Sequence, residues 1–320
     1  MNQAFDSSNA LPPVIFLMGP TASGKSALAV ALAQRLNAEI ISVDSALVYR
    51  GMDIGVAKPT LAERGGIVHH LLDILDPSES FSTGQFRKTA LELMHDIGAR
   101  GKLPILVGGT MLYFNSLNHG LAELPVADPA VRAALDQDFL KLGKEAMHQH
   151  LADCDPESAA RIHPNDPQRV QRALEVFMLT GQTLTQYFQT TNTAPIPFNI
   201  IKLIIAPSDR KQLHDIIAKR FLNMLERGLV EEVRTLYQRG DLNLSLPSMR
   251  AVGYRQVWEY LEGKESYAGM TEKAIIATRQ LAKRQFTWLR REVDAQNFVS
   301  GSDMMLENVL RHLEPRLTLA

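Results

Sequence analysis

The run Gly19-Pro20-Thr21-Ala22-Ser23-Gly24-Lys25-Ser26 fits the pattern G-x-x-x-x-G-K-[ST] at every fixed position. Glycines at these places let backbone N–H groups approach a phosphate, and the helix that follows adds positive potential. Lys25 supplies a point charge, and the hydroxyl of Ser26 can ligate a divalent metal. An apolar run, Val14 to Met18, precedes the loop, and Ala27 to Ala33 reads as a helix after it. The segment therefore grips a phosphate or diphosphate, but kinases, ATPases and transferases all share such a loop.

A second chemical group narrows the choice. Glu39-Ile40-Ile41-Ser42-Val43 reads as a strand, and Asp44 follows it. A carboxylate at a strand's carboxyl end is placed to accept a proton or to face a metal, although a turn or helix cap explains a lone aspartate as well. The strand Leu103 to Val107 ends in Gly108-Gly109-Thr110, with no acid. Nucleotide hydrolases of this loop class use such an acid to hold metal or place water, so the pattern argues against a motor or hydrolase.

Basic residues gather in three places. Arg161, Arg169 and Arg172 are interleaved with Gln168 and Gln171, and Arg210, Lys211, Lys219 and Arg220 follow a late strand. Arg250, Arg255, Arg279, Lys283, Arg284, Arg290 and Arg291 lie among Tyr254, Trp258, Phe286 and Trp288. Arginines beside aromatics suit phosphate contacts and base stacking; solvated helix faces are the plainer explanation. His69 and His70 suggest a metal, but a loop or packing role explains them more simply.

These groups need a scaffold. Strands alternate with helices through the first third, including a helix from Thr83 to Ala99 with Ser82 and Gln85 as a capping box. That alternation predicts a parallel sheet with ligands at its carboxyl edge, where Gly24, Asp44 and Thr110 converge. From Gly120 to Thr193 no strand is evident, and Asp-Pro pairs at 128–129, 155–156 and 166–167 start helices. A strand returns at Ile200 to Ile205, and the rest reads as helical. The fold class is α/β: a P-loop NTPase-like parallel sheet flanked by helices, formed by residues 1–119 and 198–320, with an all-helical insertion domain at 120–197.

Bulk properties set limits. The chain has 320 residues, 34 basic and 35 acidic side chains, and a net charge of −1, so any nucleic-acid site is a local patch. The single cysteine, Cys154, rules out an internal disulfide and fits a reducing compartment. Met1 to Ala10 carry no basic leader, and no apolar run is long enough to span a membrane. The expectation is a cytoplasmic monomer that makes no membrane contact.

In this order the motifs resemble the tRNA dimethylallyltransferase (tRNA isopentenyltransferase) family. Besides the loop, the resemblance rests on Asp44-Ser45-Ala46-Leu47-Val48-Tyr49, Met52-Asp53-Ile54-Gly55, Ala57-Lys58-Pro59, His70-Leu71-Leu72-Asp73-Ile74 and Gly108-Gly109-Thr110. Gln168 to Glu175, Arg250-Ala251-Val252-Gly253-Tyr254-Arg255, Thr278 to Gln285 and Thr287 to Arg290 complete it. Ser26 stands where many relatives carry threonine, and Ala46-Leu47 replaces the commoner Gln-Val.

The resemblance implies transfer of a dimethylallyl group from dimethylallyl diphosphate to N6 of the adenosine 3′ of the anticodon, in tRNAs reading codons that begin with U. It implies Mg2+ as cofactor, held through Ser26, and the tRNA anticodon stem-loop as partner. Gly19 to Ser26 would bind the diphosphate; Lys25, Thr21 and Arg220 would act on the leaving group, and Asp44 would be the base. The implied tRNA-facing positions are Asp44, Ser45, Ala46, Leu47, Thr110, Arg132, Gln168, Arg169, Val170, Gln171, Arg172, Arg250, Ala251, Val252, Gly253, Tyr254 and Arg255. Prenyl transfer to free AMP, a small-molecule kinase and a non-catalytic RNA-binding protein are the competing readings.

Overall fold

The computed structural model describes residues 11–122, 124–190 and 195–318; the leader reading of Met1 to Ala10 lies outside them. The first unit comprises residues 1–116 and 197–320, and the second residues 117–196. In chain order the elements are β1 (Pro13–Met18), α1 (Lys25–Arg35), β2 (Ala38–Val43), β3 (His69–His70), α2 (Thr83–Ala99), β4 (Leu103–Gly108) and α3 (Met111–His119). The second unit continues with α4 (Pro129–Cys154), α5 (Pro156–Arg161), α6 (Pro167–Thr180) and α7 (Leu184–Thr190). The first unit resumes with β5 (Asn199–Ala206), α8 (Arg210–Glu226), α9 (Leu229–Tyr237), α10 (Tyr254–Leu261), α11 (Tyr267–Leu289), β6 (Gln296–Val299) and α12 (Met305–Thr318).

Among the described residues six strands form one parallel sheet, in the order β3-β2-β4-β1-β5-β6. β1, β2, β4 and β5 are largely buried and mostly apolar because helices cover both faces of a parallel sheet, with Glu39 and Lys202 the charged exceptions. One core packs Leu28 and Leu32 of α1 against Ile15, Leu17, Ile40, Ile105 and Leu203, with Val309 and Leu313 of α12 closing it. Each such side chain contributes about 1.5–3 kcal/mol on burial. Helix α2 begins with the expected capping box, Ser82 Oγ accepting from the Gln85 N–H and Gln85 Oε1 from the Ser82 N–H.

Two strands escape the sequence pattern. β3 has two residues, too few to show alternation, and edge strand β6 is largely exposed and has no apolar run to betray it. His69 and His70 form β3, and His70 Nε2 meets Glu39 Oε2 at 2.8 Å. Glu39 is almost fully buried, and Arg100, Lys102 and His70 surround its carboxylate. The hydrogen bonds from Arg100 hold it well below the usual carboxylate range.

The second unit is all-helical among its described residues. Asp128, Asp155 and Asp166 cap α4, α5 and α6, each followed by a proline at the first helical position. Helix α4 breaks at Gly143, whose φ of 81° is not helical. Leu135, Met147, Leu151, Val170, Leu174 and Leu184 form its core.

Candidate active site

β1 delivers the chain to the phosphate loop. At Gly19 a Cβ would lie 2.3 Å from the Ile205 carbonyl oxygen, so only glycine lets the loop leave the sheet there. Gly24 caps α1 at φ 80°, a left-handed conformation that glycine adopts without strain. Lys25 opens α1 and donates from Nζ to the Pro20 carbonyl at 3.1 Å. Burial pulls its pKa down to about 8; Asp44 works against that shift and Arg220 adds to it. Arg220 of α8 is itself shifted down by burial, with Asp44 opposing. Lys25, Asp44 and Arg220 thus act on one another electrostatically, as a cluster of two cations and one anion.

The neighbouring strand ends hold the acid. Asp44 Oδ1 accepts from the Ala46 N–H at 2.9 Å, and the Ser45 N–H donates to Thr110 Oγ1 at 3.1 Å. The Thr110 N–H returns to the Val43 carbonyl at 3.2 Å. This close approach of β2 and β4 requires Gly108, where a Cβ would lie 1.9 Å from the Val43 oxygen.

A cavity of about 570 Å³ opens over these ends. Of the expected residues, Thr21, Ala22, Lys25, Ser26, Asp44, Ser45, Ala46, Leu47, Thr110, Arg220, Arg250, Ala251 and Val252 line it. Gly19, Pro20, Ser23 and Gly24 shape the loop behind that wall.

Other expected positions lie elsewhere. Tyr254 is fully buried, with its hydroxyl donating to Glu232 Oε1 at 2.5 Å. Burial and the Glu232 carboxylate push its pKa far up. Tyr254 is therefore a packing group and not an RNA-facing one, and Gly253 beside it is also buried. Arg255 is exposed and paired with Glu259 at 3.0 Å.

In the second unit Val170 is fully buried in the core, which corrects its assignment to RNA contact. The buried Glu175 carboxylate receives Arg132 Nε at 2.9 Å, Arg172 at 2.6 Å and the Asp128 N–H at 3.0 Å. Arg132 and Arg172 thus hold the unit together, and Gln171 binds Asp136 at 2.6 Å. Gln168 and Arg169 are exposed, with Arg169 3.3 Å from Asp166.

Three residues without an assigned role in the sequence pattern support the cavity wall. Glu232 accepts from the Asp53, Ile54 and Gly55 N–H groups at 3.0, 2.7 and 3.1 Å. Lys58 is buried and donates to the Tyr49 carbonyl at 2.8 Å, to Asp53 at 2.6 Å and to Asp73. Gln285 accepts from the Thr21 N–H at 2.8 Å and donates to the Gly109 carbonyl at 2.9 Å. Only Glu232 lies outside the quoted motifs; no local spacing marks it, since its partners are 177 to 179 residues away.

The donor set fits a magnesium ion that keeps most of its waters. Ser26 presents an exposed hydroxyl on the cavity wall, and Asp44 lines the same space. No cluster of three acidic, histidine or cysteine ligands occurs among the described residues. Magnesium needs no such cage when a diphosphate supplies oxygens.

Comparison with known proteins identifies the family. Residues 47–292 match the model of the IPP transferase family, and residues 12–79 that of isopentenyl transferases. The tRNA dimethylallyltransferase of Methylococcus capsulatus is 57% identical over 311 residues, covering 97% of this chain and 100% of its own. The crystal structure of the full-length tRNA isopentenylpyrophosphate transferase of Bacillus halodurans superposes with a TM-score of 0.71 at 38% identity, over 96% of this chain and 97% of the other. A eukaryotic dimethylallyltransferase acting on tRNA gives a TM-score of 0.78 at 28% identity, over 94% of this chain and 78% of the other. With a phosphate loop, a strand-end aspartate and the Arg250–Val252 segment facing one cavity, and with relatives this similar along its whole length, the chain belongs to the tRNA dimethylallyltransferase family.

Proposed function

We propose that the protein transfers a dimethylallyl group from dimethylallyl diphosphate to N6 of the adenosine on the 3′ side of the anticodon, in tRNAs reading codons that begin with U. The observation that carries this reading is the single cavity shared by Lys25, Ser26, Asp44, Thr110 and Arg220. The residues read as a diphosphate grip and the one read as a base line the same open cavity.

The allylic C1–O bond breaks, and the diphosphate leaves with the electron pair. Lys25, Arg220 and the loop amides stabilise the negative charge that grows on it. The N6–C1 bond forms, and N6 is a poor nucleophile because its lone pair is delocalised into the ring. Asp44 takes the N6 proton, which raises the nucleophilicity of the amine as it attacks. Magnesium, held through Ser26 and diphosphate oxygens, would neutralise further charge on the leaving group. The base must leave its stack to reach Asp44, at a cost of a few kcal/mol, which contacts from Thr110, Arg250, Arg169 and Gln168 to the RNA offset. The reading includes a cytoplasmic monomer; no helix among the described residues is long and apolar enough to cross a membrane.

Incubation with labelled dimethylallyl diphosphate, magnesium and bulk tRNA tests the proposal, with AMP as an alternative acceptor and labelled ATP as an alternative donor. Label in an N6-alkylated adenosine of tRNA supports it. Label only in AMP, or phosphoryl transfer from ATP, overturns it.

A further inference from the structure

Gln285 is polar and buried on α11, and both ends of its amide are used. Oε1 accepts from the Thr21 N–H, and Nε2 donates to the Gly109 carbonyl. The amide's orientation follows from its partners, since a backbone N–H only donates and a carbonyl only accepts. A Cβ at Gly109 would fall 2.3 Å from Gln285 Nε2, so the missing side chain is what admits the amide.

The two partners belong to different strand-end loops. The β1–β4 ladder ends at the pair Met18 and Gly108, after which the strands no longer hold each other. Gln285 bridges the next stretch. On one side, the Thr21 N–H and the Pro20 carbonyl belong to a single planar peptide group. Gln285 holds its N–H while Lys25 Nζ sits on its oxygen. On the other side, Gly109 precedes Thr110, whose Oγ1 holds the Ser45 N–H next to Asp44.

We infer that Gln285 is a positioning residue for the transfer, setting the separation of the loop that holds the donor from the loop that holds the base. It acts through Thr21 and Gly109, and the inference rests on the function proposed above. A strut of this kind aligns two reactants without fixing either one's affinity. Misplacing reacting atoms by about 1 Å costs on the order of 100-fold in rate. Loss of Gln285 therefore lowers kcat and leaves binding nearly intact.

The test compares the full-length wild type with Gln285→Ala and Gln285→Glu. For Gln285→Ala, kcat falls at least about tenfold while KM for donor and for tRNA stays within about threefold. Gln285→Glu keeps the acceptor for Thr21, but its ionised form has no donor for Gly109. Protonation restores an O–H donor, so its activity relative to wild type at the same pH rises as pH falls from about 8 toward about 5. The alanine ratio stays flat over that range. A kcat within about twofold of wild type in both folded variants overturns the inference. So does a flat glutamate ratio, or a loss of activity that only tracks loss of folded protein. A wild type that transfers no label fails the function reading instead, and so separates the two claims.

Discussion

The Tyr254 hydroxyl donates to the Glu232 carboxylate, which also gathers the Asp53, Ile54 and Gly55 amides. One carboxylate thereby ties α9 and α10 to the loop after β2 that forms part of the cavity wall. The Tyr254 ring fills the space beside Gly55, where a Cβ would lie 2.4 Å from it. Tyr254→Phe removes one hydrogen bond to a charged group. Stability falls by about 1–2 kcal/mol in denaturant unfolding, and tRNA affinity is unchanged. Weaker tRNA binding with unaltered stability would return Tyr254 to the RNA-facing surface.

Lys25 carries a pH signature. Its pKa is about 8 in the ligand-free protein, below the ordinary lysine value. Below that pH the ammonium is charged and meets the diphosphate; above it the group is neutral until binding restores the proton. Donor affinity measured by calorimetry is therefore flat below about pH 7.5 and weakens about tenfold per unit above about 8. The same shift has the opposite sign for folding: the buried ammonium costs stability, and that cost is relieved as pH rises from about 8 toward the unfolded value near 10.5. Lys25→Met removes the break in donor affinity and weakens binding at every pH.

Arg169 and Arg172 lie one helical turn apart on α6 with different surroundings. Arg169→Ala leaves the melting temperature unchanged and weakens tRNA binding, with the salt slope reduced by about one. Arg172→Ala strips a cation from the fully buried Glu175 and lowers stability by about 2–4 kcal/mol. Filter binding at several salt concentrations and thermal melts separate the two effects. Equal behaviour of the variants would contradict the distinction.

The phosphate loop and Asp44 were legible because their chemistry is local: eight consecutive residues and one strand end. The helical middle was legible because Asp128, Asp155 and Asp166 each mark a helix start beside a proline. What escaped the pattern is non-local. Glu232 binds amides 177 to 179 residues away, and Gln285 reaches Thr21 across 264 residues. β3 and β6 pair only at sheet edges, where burial no longer imposes an apolar run. Tyr254 and Val170 fall in motifs that suggest RNA contact, but a motif does not say which way a side chain points, and both are buried.

The proposed transfer makes Asp44 the base in a cavity whose loop holds the leaving diphosphate. Single-turnover transfer from labelled dimethylallyl diphosphate to tRNA, comparing wild type with Asp44→Asn, tests it most directly. The substitution keeps shape and removes the proton acceptor. The expected result is a rate loss of about 100-fold or more, with donor and tRNA affinities within a few-fold of wild type. Transfer at the wild-type rate would contradict it.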